Sequence, residues 1–135
     1  MTSQILICPQ SAGLDHFISI GTDSKIAFQL TTESDVGNRA YPTNSTIQTN
    51  KTYCVTCVKD GSTISVYING ALDTSNSTDT LQAASWGNCQ WSIGQRGNGQ
   101  FPFIGKIHSV RAYNKSLSAI EVAQNFESIR SRYEI

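Results

Sequence analysis

Glu33 and Asp35 stand two residues apart in TTESDVGN (31–38), the one place where two carboxylates of this chain could share a strand face. Glycoside hydrolysis of the retaining type needs two such groups about 5 Å apart, one as nucleophile and one as acid/base. The Ser, Gly and Asn residues around the pair read as a solvated turn, and the other acids are scattered, so no catalytic residue is assigned. Cys54 and Cys57 form CVTC, a spacing shared with redox and zinc motifs. On a strand, a separation of three sends the two thiols to opposite faces, where they neither bridge nor share a metal. Cys8 and Cys89 have no neighbouring cysteine in sequence, and all four are expected as free thiols. His16 and His108 have no donors at ligand spacing and are expected as strand-surface residues. The glycines of GQRGNGQ (94–100) lack the lysine and the following helix of a phosphate loop. The richest cluster is SWGNCQWSIGQRGNG, where aromatic faces could stack on a sugar and amide or guanidinium groups could bond its hydroxyls. Trp86, Arg96 and Asn98, with Tyr41 from a long polar segment, are the candidate glycan-binding residues. Trp91, beside a strand, is assigned to the core. No metal and no cofactor is expected.

Short strands must position these groups. In KDGSTISVYING, Ile64, Val66 and Ile68 alternate with Thr63, Ser65 and Tyr67, the period of a strand with one buried face. Asp60-Gly61 and Asn69-Gly70 at its ends favour type I′ hairpin turns. Thr52–Val58, Ser62–Ile68 and a short Ala71–Asp73 predict a three-strand meander. Gln4–Cys8, Phe17–Gly21, Lys25–Thr31, Trp91–Gly94 and Ile104–Tyr113 predict five more strands. Gly37–Thr46 reads as a loop, because Pro42 cannot sit in a central strand, and Thr74–Thr80 reads as another. The C-terminal segment differs. Ser118 and Glu121 make a capping box, and Leu117 and Val122 hold the positions of a hydrophobic staple. Ile120, Ala123, Phe126 and Ile129 recur at helical spacing, so a helix over about 118–130 is expected to dock by that face. The pattern gives a single all-β domain over 1–135, a two-sheet antiparallel sandwich of jelly-roll type with one C-terminal helix.

Charged residues make up 15% of the chain against about 25% in ordinary domains, and the net charge is zero. Such a surface, rich in Ser, Thr, Asn and Gln, offers no field to steer a phosphate backbone, which argues against nucleic acid. It suits neutral sugars or contacts between subunits. MTSQILICPQ has neither the basic start nor the long apolar run of a signal peptide, and no stretch is long enough for a membrane span.

The order of these pieces carries a resemblance. TYCVTCVKDGSTISVYINGAL, then WSIGQ, then FIGKIHSVRAYNKSLSAIEVAQNFESIRSRY resembles the laminin G-like branch of the concanavalin A-like lectin/glucanase superfamily. The closing QNFESIRS with its Arg-Tyr tail looks like the C-termini of this domain in phage virion proteins. The resemblance implies a curved two-sheet sandwich. His108 stands where such sequences often carry an acid, and fewer residues precede the meander than is usual for the family. Some members bind calcium through clustered Asp and Asn oxygens, and no such cluster aligns here. A sheet shortened on its N-terminal side exposes an edge that few soluble monomers leave open, so other copies or a partner chain are expected to cover it. The expected function is a non-enzymatic structural or adhesion subunit of an extracellular or viral assembly, a phage virion or filament for example. The alternative is a free lectin-like module binding neutral glycans. Placement in a virion, outside the cell or on its surface follows.

Overall fold

Alternating apolar residues and tight turns fold this chain into strands, which a computed structural model describes over residues 3–11, 14–30, 39–77 and 90–135. In order they are β1 (Gln4–Ser11), β2 (Leu14–Asp15), β3 (Phe17–Ile20), β4 (Lys25–Leu30), β5 (Arg39–Thr46), β6 (Val55–Asp60), β7 (Thr63–Ile68), β8 (Ala71–Ser77) and β9 (Gln90–Ile93). Helix α1 (Ala119–Tyr133) follows.

Among the described residues all pairings are antiparallel and fall into two sheets. The larger runs β2-β1-β3-β4-β5, with β9 also on β1. Ile7 of β1 is opposite both Ile18 of β3 and Ile93 of β9, so those two strands flank β1 on opposite sides. Among the described residues the larger sheet is therefore five positions wide, with β9 and β5 outermost. The smaller sheet is the meander β6-β7-β8. Its second hairpin has Asn69 and Gly70 both at positive φ, as a type I′ turn requires. The first hairpin pairs Asp60 with Thr63, so its central residues are Gly61 and Ser62. Only Gly61 has positive φ, the pattern of type II′ rather than the expected I′.

Inner faces of the two sheets meet in a core of Ile26, Phe28, Ile64 and Val66. The other face of the smaller sheet receives the helix. Val58 and Tyr67 pack there on Leu117 and Val122, so the staple residues are in one cluster. Both capping-box bonds are present: the Glu121 N–H donates to the Ser118 hydroxyl (3.3 Å) and the Ser118 N–H to the Glu121 carboxylate (2.9 Å).

Bulges join the sheets along one side. In β8, Leu72 faces Tyr67 and Thr74 faces Val66, which leaves Asp73 as an extra residue. Across from it, β5 bulges between Pro42, opposite Ala27, and Thr46, opposite Lys25. The Asp73 carboxylate accepts from the N–H groups of Asn44 and Ser45 in that bulge, and the Asn44 side chain donates back to the Asp73 carbonyl (2.8 Å).

Several expectations need correction. Gly37–Thr46 is not all loop, since Arg39–Thr46 is β5; as an edge strand, β5 can accept Pro42, whose missing N–H breaks no interior ladder. Strand β8 runs on through Ser77, where a loop was expected. Ile104–Tyr113 joins neither sheet ladder. Its first residue is held by a bond from the Ile104 N–H to the Gln4 side chain (2.9 Å), and farther on His108 faces the Tyr133 ring at 5.3 Å. The segment thereby crosses the end of the sandwich. On the helix, Ile120 is 70% exposed and Ala123 is exposed, and the docked stripe is Val122 with the half-buried Phe126 and Ile129. His16, expected at a strand surface, is fully buried between β2 and β3.

Candidate functional site

Of the expected sugar-binding residues that the structure describes, Arg96 and Asn98 share one turn and Tyr41 lies apart from them. Arg96 and Asn98 lie in a tight turn just after β9, closed by bonds from the Arg96 N–H to the Gln100 carbonyl (2.9 Å) and from the Gly99 N–H to the Arg96 carbonyl (2.8 Å). Arg96 is half-buried; Asn98 is exposed, and its amide is engaged with Gln100 of the same turn. Tyr41 is on β5 at the other edge of the sheet, four strand positions from β9, or about 19 Å at the usual strand spacing. Its ring packs against the core and its buried hydroxyl has no hydrogen-bond partner among the described residues, so it is a core aromatic and not a loop platform. Trp86 lies outside the described residues, as do Glu33, Asp35 and Cys89.

The acids of the described residues serve the fold where their partners are known. Asp73 holds the β5 amides, Glu121 caps the helix and pairs with Lys115, and Glu127 pairs with Arg130 (2.8 Å). Among the described residues, no three His, Cys, Asp or Glu side chains gather as metal ligands. Cys54 and Cys57 are free thiols, and Cys8 is buried. The register Cys57–Val66 turns Cys57 to the core, while Cys54, one residue before the strand and tied to Asn69, lies on the opposite face as the spacing predicts. Burial pushes the Cys57 thiol up to about 12. Burial also raises Cys54, against the lowering effects of a Thr56 hydrogen bond and the Arg111 charge. Thiolate, the reactive form, is scarce at neutral pH for both.

What the fold does present is an overhang. The side chains of β1 and β9 that share a face with Ile18 point toward the smaller sheet, but that sheet is three strands wide against five positions. The β5–β8 bonds align the two sheets at the other side, so among the described residues no strand lies opposite the inner face near β1 and β9. Two results follow. A cavity of about 850 Å³ opens beneath the crossing segment, lined by Leu6, Ile18, Ile20, Ile47, Phe103 and Ile107 among others. Among the described residues no Asp or Glu side chain lines it, and the charged ones that do are Lys51 and Lys106. Beyond it, Trp91 is 56% exposed, Ile93 54%, Phe101 42% and Ile104 83%. Trp91, assigned to the core from its place beside a strand, is thus a surface residue. Its alternation with Ile93 correctly marks one inward face, but the sequence carries no signal that the facing sheet stops short.

Residues 2–123 match a laminin G-type family described as the concanavalin A-like lectin/glucanases superfamily. None of the curated proteins matches the chain significantly. Among solved structures, the chain is similar to an S-layer domain-containing protein (residues 221–444) from Clostridium thermocellum ATCC 27405, with 22% sequence identity and a TM-score of 0.51. The match covers 86% of this chain and 58% of that one, so the chain spans little over half of its neighbour's length. At that identity the likeness is one of fold.

Proposed function

The chain belongs to the concanavalin A-like lectin/glucanases superfamily, and from that premise we propose that it is a non-enzymatic structural module of a surface assembly, held to copies of itself or to a partner chain. The observation that carries this reading is the apolar overhang, whose residues a complete sandwich would bury and this one leaves in water. A neutral surface favours such contacts, because like charges do not oppose them. An extracellular or cell-surface setting is supported by the solved neighbour, which is an S-layer domain-containing protein; a virion is the other setting that the same chemistry serves. Light scattering on the purified chain tests the reading: association in the micromolar range is expected, and a stable, well-folded monomer throughout that range overturns it.

Exposed Trp91 favours a second reading, a lectin-like module for neutral glycans, with the indole stacking on a sugar face and the nearby Arg96–Gln100 turn offering polar groups. A glycan array distinguishes it. Binding lost in Trp91→Ala with the melting temperature unchanged supports this reading, and a blank array at high protein concentration removes it.

A further inference from the structure

We propose that Trp91, Ile93, Phe101 and Ile104 form a self-docking surface, on which the same four residues of a second copy of this chain seat about a two-fold axis. The inference rests on the assembly reading above and names its contact. Trp91 and Ile93 stand two apart on edge strand β9 and share a face. The segment of Phe101 and Ile104 runs on beside β1: the Ile5 N–H donates to the Phe101 carbonyl (2.9 Å), the Phe103 N–H to the Gly94 carbonyl (2.7 Å), and the Ile104 N–H to Gln4. These bonds hold the four residues along one margin, the β1/β9 end of the larger sheet.

Area is the first argument for a second copy. With about 250 Å² for a whole tryptophan and somewhat less for the others, the exposed fractions amount to about 500 Å² of apolar surface. A stable interface of standard size buries about 800 Å² from each partner, a little under 60% of it apolar, which is about what this margin offers. Charge is the second argument. Residues 90–105 contain a single charged residue, Arg96, and that one is half-buried. A two-fold contact sets each group near its own counterpart, so it tolerates few like charges. Residues 90–105 bring only Arg96, with Lys106 just past their end, and no acid, so a partner recognised by alternating charge finds little here to read.

The test is sedimentation or light scattering of the full chain and of three variants over a concentration series. Ile93→Lys and Ile104→Lys place like charges at the centre of the contact, on side chains already in water, and are expected to weaken self-association about tenfold or more with the circular dichroism spectrum unchanged. Leu72→Lys is the control, since Leu72 is 57% exposed on β8, at the far side of the molecule, and its association should equal the unmodified chain's. Association that survives both margin variants, or falls with Leu72→Lys instead, overturns this surface and leaves the assembly reading standing. A monomer at every concentration overturns both.

Discussion

Gly70 decides how closely the helix can approach the meander. Its φ of +78° is open to glycine and strained for other residues, and a Cβ added there would lie 2.9 Å from the Cβ of Phe126. Gly61, in the other hairpin, also has positive φ (+53°) but meets nothing within 4 Å. Replacing each by alanine separates two costs. Gly61→Ala should lose about 1 kcal/mol to backbone strain alone, and Gly70→Ala distinctly more, because Phe126 must also give way. Denaturant melts of the two variants measure the difference, and equal losses would mean that the ring is not pressed on the turn. Residue-level reading succeeded where the physics is local. The Asn69-Gly70 turn and the opposed thiols of Cys54 and Cys57 follow from backbone sterics and strand parity. It failed for Trp91 and His16, whose exposure depends on what lies across from them, which no neighbouring residue encodes.

Helix α1 owes its start to two residues. Glu121 is held down to about 2, first by its bond to Lys115 and then by the Ser118 backbone and hydroxyl, from an ordinary value of 4.5. A carboxylate depressed in the folded state adds stability that is complete above about 4.5 and lost as the pH falls toward 2. Helix ellipticity should therefore decline between those values, and the decline should shrink in Glu121→Gln; an identical profile in that variant would show that other groups govern it. Ser118→Ala should cost about 1 kcal/mol at neutral pH through loss of the cap. This element was legible because its start signal is local. Its docked face was not, because Ile120 and Ala123 satisfy the helical period as well as Val122 does, and only the position of β6 and β7 selects among them. Strand β5 was missed for a related reason. Pro42 excludes a central strand, and whether a strand is central or at an edge is fixed by distant pairings. Ile104–Tyr113 has strand-like composition, yet its ends are held to different parts of the fold and no ladder takes it.

Across the whole molecule, the two sheets are joined unequally. On one side the Asp73 carboxylate bonds the Asn44 and Ser45 amides, while on the other the larger sheet overhangs the smaller. Asp73→Ala should release both amides at a cost of about 1 kcal/mol. Hydrogen exchange should then quicken at Asn44 and Ser45, with little change in β1; unaltered exchange at those two amides would show that the carboxylate does not hold them. The arrangement is that of a book, with a bound spine at β5 and β8 and a loose fore-edge at β1, β9 and β6. Gln4 and Ile135, near the two ends of the described chain, both line the cavity at the fore-edge. Tension applied at these two residues enters on the loose side. In a pulling experiment β1 is therefore expected to part from its neighbours before the β5–β8 spine yields.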